Sequence, residues 1–477
     1  MAEIILDNMQ RVLEAQRAAF MGELPVGIAG RKDRLNRCIR MLAENSARFS
    51  AALTDDFGHR SDDVNLLFDV AASIRQLKHA IKHVDRWSRK EPRKLDFPLG
   101  LLGGRGWVEY QPKGVVGVIA PWNFPVSLTI GPISGGFAAG NRVMVKSSEY
   151  TPGVAALFAE LAPLYFDPRE LAFFSGGPEV GQRFSALPFD HLIFTGATPV
   201  GRHILHAAAD NLTPVTLELG GKSPTIVGRS ADIRQAAERI AIGKLLNAGQ
   251  ICLAPDYLLV PEEQADTVVG AISRAAAELY PSVIANADYT ALINDRHRVR
   301  LEAYLEDARD KGAAVIAINP ASEDFAASNG RKMPLHIVRN VNDDMALMRE
   351  EIFGPILPVM TYSRIEDAIG YVNRRDRPLG LYYFGNDPAE QRLILERTIS
   401  GGVTINDVLF HAAMEEMPFG GIGASGMGSY HGFDGFKTFS HAKSIYRQPK
   451  IDFAKLAGFK PPYGAATRKA IARELKM

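Results

Sequence analysis

Cysteine is scarce in this chain, which has only Cys38 and Cys252 among its 477 residues. Two cysteines in dissimilar local sequences cannot build a disulfide framework, so a reducing compartment is indicated. The first residues, MAEIILDNMQ, lack the basic segment followed by an apolar segment that a secretion signal needs. We therefore expect the protein to remain in the cytoplasm.

Net charge and long apolar runs are also missing. The chain has 55 Lys and Arg residues against 54 Asp and Glu, which leaves a net charge of +1. This balance lacks the excess positive charge that is typical of a protein that binds nucleic acid. No run of about 18 apolar residues occurs, and the tail 448–477 mixes Lys and Arg with short apolar pieces, so a spanning helix is not expected. We expect neither a nucleic acid nor a membrane as a partner.

Metal-ligand patterns are sparse as well. His411, His431 and His441 are scattered, no second cysteine lies near Cys252, and no histidine pair stands at metal spacing beside them. We therefore expect no metal site and interpret these histidines as structural.

What the chain does contain predicts an α/β fold with more than one domain, because 477 residues exceed what one hydrophobic core usually covers. Residues 1 to about 90 show helical spacing of apolar positions. Beyond residue 107, apolar runs of strand length alternate with helical stretches, which indicates parallel sheets with right-handed crossovers. The predicted strands are Val115–Ala120, Arg142–Lys146, Leu171–Ser175 and His191–Thr195, then Pro224–Val227, Tyr257–Val260, Ala314–Ile318, Ile356–Thr361, Leu379–Gly385 and Gly402–Asn406, with a further strand near Phe436–Tyr446.

Candidate cofactor residues follow the predicted strands, since ligands of parallel sheets bind beyond the carboxyl ends of the strands. Gly196, Thr198 and Gly201 come after a strand and open a helix, where backbone N–H groups and the helix dipole can bind a pyrophosphate. Thr198 stands where the usual dinucleotide motif has glycine, so an ordinary strand-to-helix turn is the alternative. Lys146 and Glu149, at the end of another strand, are candidates for holding an adenosine ribose.

Three residues are candidates for covalent oxidation chemistry. Cys252 supplies a thiol that can attack a carbonyl, and Glu218, between Leu217 and Leu219, is a carboxylate whose burial would raise its pKa toward that of a useful base. Asn123, framed by prolines at 121 and 125, can donate to an oxyanion. Taken singly, each residue has a structural alternative: an inert buried thiol, a paired carboxylate and a turn asparagine. Likewise, the glycine-rich segment 419–428 is either a flexible loop or a place where backbone approaches a ligand closely.

Taken together, these motifs resemble those of the NAD(P)-dependent aldehyde dehydrogenase superfamily, over about residues 15–447. The sequences APDY, after the cysteine, and SGMGSYHG, near the end, resemble the class 3 branch of this superfamily. The sequences GHRS at 58 and KSSEYTP at 146 are most similar to coniferyl aldehyde dehydrogenases. The matching stretches are PWNFP at 121, KSSE at 146, FTGATPVG at 194, LELGGKSP at 217, GQICLAPDY at 249, EEIFGPILPV at 350 and PFGGIGASGMGSYHG at 418.

The resemblance implies roles for individual residues. Cys252 would be the nucleophile and Glu218 the general base, with Asn123 and the Cys252 backbone N–H as the oxyanion hole. The cofactor would be NAD, with NADP also possible. The residues implied for cofactor binding are Trp122, Lys146, Glu149, Gly196, Thr198, Gly201, Leu219, Glu351 and Phe353. The residues expected to line the substrate entrance are Phe410, His411 and Phe419.

The resemblance also implies an overall organisation and a reaction. Residues 1–93 and 111–216 would form a Rossmann-like cofactor domain and 217–428 a second α/β catalytic domain. Residues 94–110 and 429–447 would form a β-strand arm that joins a homodimer, leaving 448–477 as a C-terminal tail. An aromatic or medium-chain aliphatic aldehyde would become the acid through a thiohemiacetal and a thioester on Cys252. The alternatives are an acylating enzyme that passes the thioester to coenzyme A, and a non-catalytic binding protein with this fold.

Overall fold

The computed structural model describes residues 2–328 and 330–476, with side chains described from Asp7 onward. Its helices are α1 Ala2–Glu23, α2 Ile28–Glu44, α3 Ser46–Phe57, α4 Asp62–Val64, α5 Ala72–Trp87, α6 Ser127–Ala139, α7 Pro152–Tyr165, α8 Pro178–Ser185, α9 Thr198–Ala209, α10 Ile233–Leu245, α11 Ala265–Leu279, α12 Asp295–Asp310, α13 Ala346–Arg349, α14 Ile365–Asn373, α15 Pro388–Arg397, α16 Phe410–Ala413, α17 Gly432–Thr438, α18 Phe453–Leu456 and α19 Ala465–Glu474. A π-helical segment, Asn65–Ala71, joins α4 to α5, and short 3₁₀ turns span Leu246–Gly249 and Glu262–Gln264.

The strands are β1 Glu91–Arg93, β2 Arg105–Pro112, β3 Val115–Ile119, β4 Arg142–Lys146, β5 Leu171–Phe174, β6 His191–Thr195, β7 Val215–Glu218, β8 Pro224–Val227, β9 Tyr257–Pro261, β10 Ala314–Ala317, β11 His336–Arg339, β12 Ile356–Tyr362, β13 Gly380–Phe384, β14 Gly402–Ile405, β15 Gly426–Met427 and β16 Ser440–Arg447. They form three sheets. The predicted α/β class is confirmed, and the strand predictions from Val115 to Asn406 each coincide with an observed strand to within one residue at either end.

The first sheet has the order β15-β7-β6-β3-β4-β5 and is parallel except for β15. Successive residues of its central strands pack into two cores on opposite faces, because side chains alternate along a strand. Val115 and Met144 join the core on the face covered by α1 and α8, whereas Val116 and Val143 join the core built with α2, α5 and α6. Burial on both faces explains why these strands are continuously apolar.

The second sheet has the order β10-β11-β12-β9-β8-β13-β14. All neighbours are parallel except β10, which runs antiparallel to β11 at the edge. Strand β11 was not predicted, because the polar residues His336 and Arg339 at its two ends leave only two apolar residues between them. This sheet packs against α10 and α11 in a separate hydrophobic core.

The third sheet is antiparallel, with the order β1-β2-β16. The strand predicted near Phe436–Tyr446 starts only at Ser440, because residues 432–438 form α17 instead. Phe433 and Phe436, one helical turn apart, both pack on Trp87 of α5, and this contact favours the helix. The third strand, β1, precedes the expected start of the arm at residue 94.

Strand β7 of the first sheet leads directly into the expected catalytic domain, residues 217–428. This strand crosses the expected domain boundary between residues 216 and 217 and ends at Glu218, and its antiparallel neighbour β15 comes from the glycine-rich segment near the end of the chain. The carboxyl ends of β3, β4, β6 and β7 thus lie along one edge of the sheet. None of the helices in the described part of the chain is long and apolar enough to cross a bilayer.

Candidate active site

Cys252 follows a tightly turned loop at the end of α10. Asn247 and Ala248 have φ values of 51° and 52°, and Gly249 has a φ of 73°, so three successive residues are left-handed. A side chain at Gly249 would collide with the backbone of Gly354, which explains why glycine is needed there. The loop reverses the chain abruptly and leaves the thiol of Cys252 partly buried.

Gln250 holds this loop in place from inside. Its side chain is fully buried; Nε2 donates to the carbonyls of Asn247 and Ala291 at 3.0 Å each, and Oε1 accepts from the Ile293 backbone N–H at 2.9 Å. A buried amide with all these partners satisfied rigidifies its surroundings. Sequence reasoning missed this role, although a glutamine in an apolar stretch two residues before the cysteine was a visible signal.

Asn123 lies in the loop after β3 and is tied directly to the cysteine loop. Its Nδ2 donates to the Gln250 carbonyl at 3.2 Å, and its own carbonyl accepts from Nδ2 of Asn247 at 3.1 Å. Only one of the two N–H groups of the Asn123 amide is used in these bonds, so the other can donate to a ligand. The structure therefore places Asn123 against the loop that leads to Cys252.

A buried ion pair supports the Asn123 loop from the opposite side. Arg60 donates to Oδ2 of Asp69 at 2.7 Å, and both side chains are completely buried. Oδ1 of Asp69 accepts the backbone N–H groups of Val126 and Ser127, at 3.1 and 3.0 Å, where α6 begins. Asp69 lies on the π-helical segment, and sequence reasoning gave no sign of this anchor because its partners are distant in the chain.

Glu218 ends β7 as a buried carboxylate that is only 2% exposed. Within the described part of the chain, neither of its carboxylate oxygens has a hydrogen-bond partner. Burial raises its pKa well above the usual value for a glutamate. An unpaired carboxylate is costly to bury, so the site keeps it for a purpose other than structure.

The charges near Cys252 show that the predicted acids converge on it. Burial is the largest cause that raises the pKa of the Cys252 thiol to about 12, and the negative charges of Glu351 and Glu218 contribute to the same shift. The group is therefore a neutral thiol at pH 7.

Alkylation should report this protonation state directly. Because the thiolate reacts and its pKa lies far above neutrality, the rate of labelling by iodoacetamide should rise about tenfold per pH unit from pH 7 to 9, without a plateau. Peptide mass spectrometry of the chain without cofactor measures that rate at Cys252, and Cys38, which is fully buried, should remain unlabelled. A plateau near pH 8 would contradict the raised pKa.

The predicted ribose site lies at the end of β4. Nζ of Lys146 donates to Oε2 of Glu149 at 2.6 Å, with the lysine buried and the glutamate reaching outward. In this pair, the Glu149 carboxylate is positioned to accept a hydrogen bond from a sugar hydroxyl.

The start of α9 provides uncapped backbone donors next to this pair. Its N-cap, Ala197, has no side chain that could occupy the first N–H groups, so they are available for an anion. Oγ1 of Thr198 is turned away to the Ala424 carbonyl at 3.1 Å. A side chain at Gly201 would press against Leu219, with a Cβ only 2.8 Å from its Cδ2, so glycine lets α9 pack closely on the end of β7. This small, uncapped turn fits a dinucleotide pyrophosphate.

Glu351 and Phe353 reach the same region from the second sheet. The Glu351 carboxylate lies where a side chain at Gly220 would stand and accepts the Gly221 backbone N–H, while burial raises its pKa to about 8. Phe353, with a left-handed φ of 48°, sets its ring edge-on to Trp122 at 5.3 Å. The structure therefore brings all three of these predicted cofactor residues together.

The segment before Phe353 is braced by charged side chains that sequence reasoning missed. Arg300 on α12 donates to the carbonyls of Glu351 and Ile352 at 3.2 and 2.8 Å. Asp256, paired with Lys222, accepts the Ile352 N–H at 2.9 Å. These contacts fix the backbone that presents Glu351.

The predicted substrate residues occupy different positions. Phe410 opens α16 with 54% of its surface exposed. His411 is turned toward β14, where its Nδ1 lies 2.7 Å from Oγ1 of Thr404, and burial lowers its pKa to about 4. Phe419 is buried in the same core that Cys252 packs against and stacks on His431 at 5.1 Å. Only Phe410 therefore has the exposure of an entrance residue.

Comparison with known proteins agrees with this geometry. Residues 4–445 match the aldehyde dehydrogenase family. The chain belongs to the aldehyde dehydrogenase family. It is 52% identical over 469 residues to a "Probable coniferyl aldehyde dehydrogenase" of Caulobacter vibrioides, covering 98% of this chain and 97% of the relative. It is 50% identical over 465 residues to a "Coniferyl aldehyde dehydrogenase" of Pseudomonas sp., covering 98% and 96%.

Solved structures of aldehyde dehydrogenases share this fold. The substrate-bound AldH of Staphylococcus aureus superposes with a TM-score of 0.90 at 35% identity, covering 97% of this chain and 99% of that one. A Mycobacterium tuberculosis aldehyde dehydrogenase complexed with NAD⁺ gives a TM-score of 0.83 at 27% identity, covering 94% and 91%. The protein is accordingly an oxidoreductase of the NAD(P)-dependent aldehyde dehydrogenase type.

Proposed function

We propose that this protein oxidises an aromatic aldehyde, coniferyl aldehyde or a close analogue, to the carboxylic acid with NAD⁺. The observation that carries the proposal is that Asn123 donates to the loop of Cys252, while the charge of Glu218, a buried carboxylate with no hydrogen-bond partner among the described residues, acts on the same thiol. The near full-length identity with relatives named coniferyl aldehyde dehydrogenase supports the substrate class.

The first half of the reaction depends on Cys252 and Asn123. The Cys252 thiol gives up its proton to solvent water, and the sulfur adds to the aldehyde carbon, so that the carbonyl oxygen becomes the oxyanion of a thiohemiacetal. Nδ2 of Asn123 and the Cys252 backbone N–H donate to the resulting oxyanion, and one such donor is typically worth about 10²–10³ in rate. Bound NAD⁺, which Glu351 and Phe353 would hold at its nicotinamide end, would supply the acceptor for the hydride of this carbon. A thioester on Cys252 remains.

The second half depends on Glu218. The carboxylate takes a proton from water, the water oxygen adds to the thioester carbon, and the carbon–sulfur bond breaks. The acid leaves and the thiol is restored, so aldehyde, NAD⁺ and water give acid, NADH and a proton. A transfer to coenzyme A needs no such base, and for this reason we favour hydrolysis.

Cofactor preference should depend on Glu149. In Glu149→Gln the shape is kept and the negative charge beside Lys146 is removed, so kcat/KM for NADP relative to NAD should rise by at least about tenfold, because a like charge no longer opposes the 2′-phosphate. Steady-state kinetics with both cofactors measures the ratio. Glu160→Gln, a substitution in an exposed surface ion pair with Arg48, is the matched control and should leave it unchanged. An unchanged ratio in Glu149→Gln would remove Glu149 from the cofactor site.

We also propose the domain organisation expected from the sequence, with 1–93 and 111–216 binding the cofactor and 217–428 carrying the nucleophile.

The arm of residues 94–110 and 429–447 joins two copies in a cytoplasmic homodimer. In support, β16 pairs only with β2 among the described strands, which leaves its long, exposed second edge for another chain. Light scattering should give twice the chain mass of 52.1 kDa, and a mass of one chain would contradict the dimer.

A substrate panel tests the proposed function. The rate of NADH formation is followed without coenzyme A for coniferyl, cinnamyl, benzyl and alkyl aldehydes, and kcat/KM should be highest for coniferyl aldehyde. A preference for medium-chain alkyl aldehydes would replace the aromatic assignment. A signal that requires coenzyme A would indicate the acylating alternative, and no signal with any aldehyde would indicate a binding protein.

A further inference from the structure

A cluster of two histidines and a glutamate lies outside the catalytic site. His79 and His83 stand one turn apart on α5, with ring centroids 4.4 Å apart. Oε1 of Glu416, in the loop that follows α16, lies 3.3 Å from Nε2 of His79 and 3.6 Å from Nε2 of His83. The three ligand atoms all lie within 4.8 Å of one another.

The two separations between Glu416 and the histidines are close to those around a tetrahedral zinc ion. With Zn–N and Zn–O distances of about 2.0–2.2 Å, ligand atoms in a tetrahedron stand roughly 3.3–3.5 Å apart. Two histidines and one glutamate form a known zinc donor set that leaves a fourth position open to water. The expectation of no metal site considered only the histidines near the end of the chain and overlooked the i, i+4 pair on α5.

The environment of His79 favours a ligand over a direct contact. Its Nε2 is buried and forms no directed hydrogen bond within the described part of the chain, even though Glu416 Oε1 is only 3.3 Å away. A cavity of about 20 Å³, lined by His79, Glu415, His431 and Gly432 among others, adjoins it and can hold one water molecule.

Two cations on α5 oppose metal binding and limit the affinity. Arg86 places Nη2 3.9 Å from the second Glu416 oxygen, and Lys82 also adds positive charge near His79. Arg86 is 60% exposed, so its side chain can swing into solvent when a metal ion neutralises the carboxylate.

We propose that His79, His83 and Glu416 bind one zinc ion that joins α5 to the loop 414–417. This loop connects α16, which carries Phe410, to Phe419. A zinc ion there holds the proposed substrate entrance against the helix core, so its removal should change KM for the aldehyde more than kcat. Binding itself is independent of the proposed substrate.

Zinc titration of the full chain tests the site. The Cys252→Ser background removes the one partly exposed thiol that could also bind zinc. After chelator treatment and dialysis, competition with a chromophoric zinc indicator should show one zinc ion per chain, and cobalt should give the visible absorption of a tetrahedral site. Absence of any saturable site would overturn the proposal.

Matched variants locate the site. Glu416→Gln keeps the shape of an exposed side chain, and His83→Ala removes a second ligand; each should weaken binding by at least about tenfold, since even residues that only support metal ligands are worth 10–100-fold. His203→Ala, an exposed histidine on α9, should leave binding unchanged. Undiminished affinity in both ligand variants would place the zinc elsewhere and refute the assignment. In the chain with Cys252 intact, the measured KM and kcat before and after zinc removal then test the entrance role.

Discussion

Replacing Cys252 with alanine is expected to abolish aldehyde oxidation, with a fall in kcat of at least about 10⁴-fold, because the carbon–sulfur bond that carries the covalent pathway is formed and broken at this sulfur. Alanine removes the nucleophile while keeping the left-handed loop at 247–249, whose conformation depends on Gly249 and Gln250. Absorbance of NADH with coniferyl aldehyde or any other accepted aldehyde measures the loss. Retention of even a tenth of the rate would exclude the thioester mechanism.

Cys38 provides the matched control for this experiment. It lies in the core on α2 with no exposed surface, and burial raises its pKa far above neutrality. Cys38→Ala should therefore keep the catalytic rate and lose only some stability from the small cavity. NAD⁺ binding, followed by quenching of protein fluorescence, should be the same in both cysteine variants, which separates loss of chemistry from loss of fold.

Replacing Glu218 with glutamine should separate the two halves of the reaction. Hydride transfer precedes the step that needs the base, so rapid mixing should show a burst of about one NADH per site, followed by steady turnover slowed by about 10²–10⁴-fold. The amide has nearly the same shape as the carboxylate and costs less to bury without partners. Full steady turnover in this variant would refute the role of Glu218.

The pH dependence of turnover gives an independent check of Glu218. Only the deprotonated carboxylate acts as a base, and burial raises its pKa, so the steady rate of the unaltered protein should increase as pH rises through that raised value. In Glu218→Gln this increase should disappear. Glu302→Gln, on the exposed face of α12, is the control and should keep both the turnover and its pH profile.

Much of the fold could be predicted from local sequence, because continuous apolar runs such as Val115–Ile119 become buried strands wherever the chain alternates them with helices. The misjudged elements are those decided by distant partners. β15 is only two residues long and exists because β7 offers an edge, and α17 replaces part of an expected strand because Phe433 and Phe436 find Trp87. No periodicity within these segments carries that information.

The residues of the candidate site also divide into those that local sequence predicts and those that depend on distant partners. Cys252, Glu218, Asn123 and the cofactor residues could be predicted because several of their motifs stand at the ends of strands, where a parallel sheet places its ligands. The residues that hold them in place were not predicted. Asp69, Gln250 and Arg300 form hydrogen bonds with backbone groups of residues that are distant in the chain. The orientation of His411 was also not predictable, since its contact with Thr404 depends on how α16 packs against β14.

By itself, the sequence determined the α/β class, the order of the motifs and the candidate reacting side chains, since strand burial and the chemistry of a thiol, a carboxylate and an amide are local properties. Only the tertiary structure decided that Glu218 has no hydrogen-bond partner among the described residues, that Asn123 is bonded to the loop of Cys252, and that His79 and His83 meet Glu416. Desolvation and the pairing of charges depend on which distant segments pack together, and this packing raises the pKa values of Cys252 and Glu218.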